Sequence, residues 1–395
     1  MKRNLLAVAI PALLVAAGAN ASIEVWNKDG NKVDFYGRVK AANNITDRGQ
    51  KGEGDDTSAR LGMSGQTQIT DSVTGYGRWE YEAKAGKNSD NEVRYAFAGL
   101  NFGDLGSFDY GRNDGVLKAI TAYTDVLPQF GGDAANNDWN VLSARTKAVA
   151  TYRNNNFFGL TDDISFVLQY ADNGDNAATI DSKLAKEELD EDGDFEGFSG
   201  ESREAYGANA QWRIFDTGLT FGAGYAQTAG KSAYDPGEIK RVKTWTTGIK
   251  YDNYNLYLAA NYFQSKFNTW NDRADGEKYK DPKIKGVELV VQYGIDLEVG
   301  RLTPSLAYVQ HKVSNTEDGY YDDDHKEGRN LAKYVSLGAT YDLNKNFSAI
   351  VEYKFNLLKK YDIGAEANTI RDSNGRHPYT PGTKDVLGVG LIYQF

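Results

Sequence analysis

The sequence has no cysteine, only two methionines and only seven prolines in 395 residues. Without a thiol there is no disulfide framework, no thiolate nucleophile and no cysteine-based metal site, so nothing in the fold depends on a redox compartment. Clusters of lysine and arginine are missing as well. Acidic residues exceed basic ones, 55 to 45, for a formal charge of −10. That balance removes the basic footprint of a nucleic-acid binder, and no nucleic-acid partner is expected. Beyond residue 21 no apolar run reaches the roughly 18 residues that a membrane-crossing helix needs. A helical membrane protein is therefore excluded. A β-barrel is not, because it hides its apolar surface in alternate positions.

Catalytic constellations are equally scarce. His311, His325 and His377 lie far apart, without HExxH spacing or a Ser-His-Asp order, so a lipase has little support. The Gly-x-Gly fragments at 222–224 and 388–390 sit on strands with no helix behind them, which fails the dinucleotide pattern. No catalytic residue, cofactor or metal is expected.

Glycine (42), tyrosine (26) and phenylalanine (17) dominate instead, a composition that suits strands and tight turns better than helices. The first 21 residues form an address. Lys2 and Arg3 precede an apolar stretch, and Ala19-Asn20-Ala21 makes a small-residue cleavage site. Cleavage after Ala21 would leave residues 22–395 as a single domain with 43 basic and 55 acidic side chains, a charge of −12.

The rest of the chain repeats one pattern with period two. Ile164, Phe166, Leu168 and Tyr170 alternate with Ser165, Val167 and Gln169. Leu256, Leu258, Ala260 and Tyr262 alternate with Tyr257, Ala259 and Asn261; Val287, Leu289, Val291 and Tyr293 continue the series. One face is apolar and ends in an aromatic ring. The other is small or polar. A soluble sandwich would bury the apolar face against a second sheet, whereas here the pattern fits a barrel turned inside out, with lipid outside, water inside and aromatic girdles at headgroup level. From residue 32 to the end 16 such segments can be counted. Short turns alternate with long loops near 43–57, 113–142, 172–202, 266–282, 314–329 and 361–382. A 16-stranded antiparallel barrel is too wide for side chains to fill, so an aqueous channel follows from the count.

At this point the residues resemble a known family, the trimeric general porins of the enterobacterial outer membrane, of the OmpC/OmpF type. The resemblance runs through NKDGNKVDFYGR (27–38), ARLG (59–62), TGYGRWEY (74–81), SFDYGRN (107–113), YTDVLPQFGGD (123–133), VATYRNNNFFGL (149–160) and the terminal VGLIYQF. It implies a homotrimer that carries small hydrophilic solutes and ions passively across the outer membrane. It also implies contact with lipids and lipopolysaccharide, and a C-terminal signal at Tyr393 and Phe395 read by the barrel-assembly machinery. A substrate-specific channel or an outer-membrane lipase is the alternative. In the family the third long loop, here 113–142, folds into the barrel; Pro128 and Gly131-Gly132 would allow the bend. The resemblance places Arg38, Arg60, Arg94 and Arg145 as a basic cluster on the wall, with Glu80 beside them. Asp125, Gln129, Lys118 and Asp133 fall on the loop. Parity agrees, with Leu61 and Met63 opposing Arg60, and Tyr95 and Phe97 opposing Arg94. Arginine keeps its charge at physiological pH, so opposed carboxylates would create a transverse field that orders water and favours polar solutes.

Two departures from the family pattern stand out. Gln129 replaces the usual Glu of PEFGGD, and Lys118 adds a positive charge to the loop, so weaker cation preference is expected. The loop at 86–91, which in the family latches the neighbouring subunit, is shorter than expected. The acidic run with Asp190, Glu191, Asp192 and Asp194, and Asp322 to Asp324, lack the spacing of a calcium loop and read as solvated surface, with weak divalent bridging to lipopolysaccharide as the alternative.

Overall fold

A computed structural model describes residues 22–48, 50, 52–86, 91–136, 140–172, 188–189, 195–197, 204–229, 239–269, 281, 283–314, 329–359 and 382–395. The leader 1–21, the shortened latch at 87–90, most of the acidic loop, Asp322 to Asp324, His325 and His377 lie outside them.

The wall consists of β1 (Asn31–Ile45), β2 (Ser58–Thr70), β3 (Val73–Lys84), β4 (Glu92–Asn101), β5 (Ser107–Asp114), β6 (Arg145–Asn154), β7 (Ile164–Ala171) and β8 (Ala205–Arg213). It continues with β9 (Leu219–Thr228), β10 (Ile239–Asn253), β11 (Leu256–Thr269), β12 (Lys283–Tyr293), β13 (Arg301–Ser314), β14 (Arg329–Asn344), β15 (Phe347–Asn356) and β16 (Val386–Gln394). Each pairs antiparallel with its sequence neighbours, for example β1 with β2, β7 with β8 and β15 with β16. Pairing of β1 with β16, from Arg38↔Gln394 to Ile45↔Leu387, closes the ring of sixteen strands. The sixteen-strand barrel expected from the period is the one that forms.

The closure extends one residue further. Phe395 donates its N–H to the Gly37 carbonyl at 2.9 Å and accepts the Gly37 N–H at 2.8 Å. Its ring lies over Gly37, where a Cβ would sit 2.5 Å from a ring carbon, so any larger residue there would displace the ring. Before β1, a strand at Ile23–Lys28 pairs back through Asp29-Gly30, both with positive φ. Asp-Gly between two strands is the strongest short hairpin signal, and a count begun at residue 32 passes over it. Between β10 and β11 the turn is Tyr254-Asn255, both left-handed.

The alternation has a physical reading. Leu258, Val291, Leu306 and Leu337 lie side by side across β11 to β14 in register, and each is between 38% and 54% exposed. Burying one such side chain stabilises by about 1.5–3 kcal/mol, so a ring of them facing water would be a large standing cost. An apolar surrounding such as acyl chains would remove that cost. On the opposite face Asn261, Glu288, Ser305, Ser336 and Glu352 are all under 4% exposed. Among the described residues no second sheet covers this face; the segment between β5 and β6 lies against it, bonded to Glu288 and Glu352. Val116, Leu117, Val141 and Leu142 of that segment pack with Phe263, Phe267, Ile284 and Val313 of the wall into the main apolar cluster.

The parity expected at Arg94 fails. Across β3 and β4 the pairing runs Glu80↔Tyr95 and then Tyr81↔Val93, so Arg94 is an extra residue in a β-bulge. The bulge shifts the alternation: Tyr95 and Phe97 are 6% and 7% exposed and share the interior face, rather than lying toward lipid. Arg94 stays inside as well.

Candidate pore constriction

Six strands, β1 to β6, place a compact set of charges on the interior. Along β3, Arg78, Glu80 and Glu82 recur at every second residue and therefore share one face. Glu82 accepts from Arg60 Nε at 2.5 Å and Arg94 Nη1 at 2.8 Å, with Arg38 at 4.0 Å. Glu80 accepts from Arg78 at 2.7 Å, Arg94 Nε at 2.6 Å and the Tyr36 hydroxyl at 3.0 Å. Glu92 gathers Arg145 at 3.1 Å, Arg112 at 3.2 Å and Arg94 at 3.6 Å. Arg94 thus bridges all three carboxylates, a reach that its place in the bulge allows.

All four arginines named from the sequence, and Glu80, meet in this cluster. Arg78, Arg112, Glu82 and Glu92 were missed. Parity along β3 was the available signal, since Arg78 and Glu82 flank Glu80 at the same period. Arg78 is further held by Tyr36, whose hydroxyl accepts its Nε proton at 2.7 Å, and by the Tyr95 ring, 4.1 Å from the guanidinium carbon. Tyr36 needs room to do this. A Cβ on Gly62 would sit 2.2 Å from the Tyr36 ring, which explains the glycine of ARLG.

The loop between β5 and β6 lies along the polar face of the wall. Its Val116 N–H donates to Gln169 of β7 at 2.7 Å, and Asn209 of β8 donates to the Val116 carbonyl at 2.5 Å. Tyr123 bonds Gln211 of β8, and Tyr257 of β11 bonds the Tyr123 carbonyl, both at 2.6 Å. Gln292 of β12 donates to the Val126 carbonyl at 2.7 Å. Two buried carboxylates hold the bend. Glu288 of β12 accepts from the Thr124 hydroxyl, from the Ala134 N–H at 2.9 Å and shares a 3.0 Å contact with His311. Glu352 of β15 accepts the Gln129 and Phe130 N–H groups at 2.6 and 3.0 Å, and the Ser336 hydroxyl.

The four loop positions separate. Asp133 accepts the Tyr334 hydroxyl of β14 at 2.5 Å, so it anchors the loop rather than facing the arginines. Gln129 donates to Asn44 and Asp56, each at 2.9 Å, tying the bend to the start of the wall. Asp125 and Lys118 stand together, bridged by Asn136, which accepts from Lys118 at 3.1 Å and donates to Asp125 at 3.2 Å. Gly132, with φ of +71°, makes that possible, because a Cβ there would fall 2.2 Å from Asp125 Oδ1. Burial pushes the Lys118 ammonium below the ordinary lysine pKa; Asp114, 3.5 Å away, opposes that shift and Arg145 adds to it.

Interior aromatics are more numerous than the sequence pattern suggested. Tyr36, Tyr95, Tyr123, Tyr257 and Tyr334 all point inward, with hydroxyls bonded to wall or loop partners. They brace the site. Among the described residues no cluster of His, Asp and Glu has metal-binding geometry.

A family model for Gram-negative porins matches residues 28–395. The chain belongs to the Gram-negative porins. It is 41% identical to outer membrane porin C of Enterobacter cloacae over 404 residues, covering all of both chains. Identity to outer membrane porin F of Xenorhabdus nematophila is also 41%, again over the full length of both. Among solved structures, OmpF of Salmonella typhi in complex with daunomycin superposes with a TM-score of 0.70 at 33% identity, covering 94% of this chain and all of the other. An anion-selective porin from Comamonas acidovorans, 16% identical with a TM-score of 0.60, shares the fold. This porin is a passive diffusion channel for small hydrophilic solutes and ions in the bacterial outer membrane. Its family is one of channels.

Proposed function

We propose that this porin is a non-specific channel whose narrowest point lies between the arginine wall of β1 to β6 and the loop segment carrying Lys118 and Asp125. One observation carries the reading. The loop's hydrogen bonds fall on β7, β8, β10, β11, β12, β14 and β15, and on Asn44 of β1 and Asp56 beside it, while Arg60, Arg78 and Arg94 on β2 to β4 take wall carboxylates as partners. Packed mainly against the other half of the wall, the loop leaves the arginines of the charged half partly exposed, with 12–27% of their side chains accessible. Charges on both sides of a gap order water and disfavour apolar solutes, while small polar molecules and ions follow their gradients.

The unit in the membrane is a homotrimer embedded in lipid and lipopolysaccharide. Residues 1–21 are an export signal removed from the mature chain, and Tyr393 and Phe395 mark the barrel for the assembly machinery. Catalysis plays no part. Liposome swelling with sugars and amino acids of graded size tests the reading: rates should fall smoothly with solute size. Saturable uptake of one sugar would make the channel substrate-specific instead.

A further inference from the structure

The wall is not the plain basic surface that its arginines suggest. Six guanidiniums converge there, but Glu82 and Glu92 sit among them, in addition to Glu80. Their placement is unfavourable on its face. Glu82 and Glu92 lie directly opposite each other across β3 and β4, and Arg38 lies directly opposite Arg60 across β1 and β2. Like charges facing across a sheet destabilise it, so neither pair serves simple stability. Together they form a row that runs positive, positive, negative, negative across four strands, made tolerable by Arg94 entering from its bulge. Glu92 is also the most open of the three wall carboxylates, with 34% of its side chain accessible against about 5–6% for the others.

We infer that Glu82 and Glu92 set the ion selectivity of the pore. The inference rests on the constriction proposed above and specifies which residues tune it. Six guanidiniums and Lys118 stand against Glu80, Glu82, Glu92, Asp114 and Asp125, an excess of two positive charges. Without Glu82 and Glu92 the excess would be four. Neighbouring charges in this chain of ion pairs lie 2.5–4.0 Å apart, well inside the screening length of about 8 Å at physiological salt, so an ion in the gap senses several of them together. The two carboxylates hold the wall near balance. A wall of mixed sign passes both ions of a salt, and zwitterions, with little discrimination.

The test uses the full-length porin in planar bilayers under a KCl gradient, reading the zero-current potential of wild type, Glu92→Gln and the double variant Glu82→Gln, Glu92→Gln. Glutamine keeps the shape and part of the hydrogen bonding. The cation-to-anion permeability ratio should fall about twofold for each carboxylate removed. Glu298→Gln, on the exposed turn between β12 and β13, should leave it unchanged. A conducting variant with the wild-type ratio, or one shifted toward cations, overturns the inference. Should the double variant not form channels, Glu92→Gln alone decides, because its side chain is the least enclosed. A wild-type chain that forms no channels sinks the pore reading itself, and a conducting wild type with indifferent variants sinks only this inference.

Discussion

Replacing Glu288 by leucine removes the acceptor that ties both limbs of the inward loop to the wall. Thr124 precedes the bend, Ala134 follows it, and His311 approaches from β13; all three are bonded to this one carboxylate, which is 1% exposed. Each buried hydrogen bond whose partner is deleted costs about 1–3 kcal/mol, and two of the three belong to the loop, so the loop loses about 2–6 kcal/mol of anchorage. The barrel loses only the His311 contact, and its strand ladders are untouched. The expected phenotype is therefore a folded channel with a loose loop. Single-channel recordings should show increased open-state noise and altered conductance, with the heat stability of the assembled protein little changed. Glu288→Gln, which keeps one carboxamide oxygen, should fall between. A quiet channel of wild-type conductance in the leucine variant would refute the anchoring role.

Other consequences follow from the same geometry. Gly62→Ala forces the Tyr36 ring away, since no Cβ fits 2.2 Å from it, and should release the Arg78–Glu80 contact; a changed single-channel conductance in a folded barrel checks this, and an unchanged one contradicts it. Gln129→Glu sets a new carboxylate against Asp56 and should raise cation preference; strong cation selectivity already present in wild type and unaltered by the change would show that Gln129 has no such effect. Lys118, held below its ordinary pKa chiefly by burial, should lose its charge at a lower pH than free lysine, so cation preference should rise on alkalinisation below the usual lysine range and Lys118→Met should flatten that response. The sign for stability is the same: between the folded and unfolded pKa the unfolded chain binds the extra proton, so stability rises with pH through that window.

The barrel was legible because period two is a local signal that survives without tertiary knowledge. Leu168, Leu306 and Leu391 declare the lipid face individually, and each is about half exposed. The site was only half legible. Arg38, Arg60, Arg94, Arg145 and Glu80 carry over with their motifs, whereas the ion pairs that join them depend on the bulge at Arg94, which strict alternation cannot foresee. The same bulge turned Tyr95 and Phe97 inward. The family resemblance puts Asp133 and Gln129 on the constriction loop, yet a bend pressed on a wall must satisfy its own groups first, and both are used for that. Glu288 and Glu352 escaped notice because an isolated carboxylate on a strand looks like any solvated interior charge until its loop partners are known.

The most direct measurement is the current through a planar bilayer after addition of the purified protein. An enclosed aqueous lumen predicts discrete, ohmic conductance steps, grouped in threes if three barrels insert as one unit. A bilayer that stays electrically silent, with the chain remaining soluble as a monomer without detergent, would contradict the account.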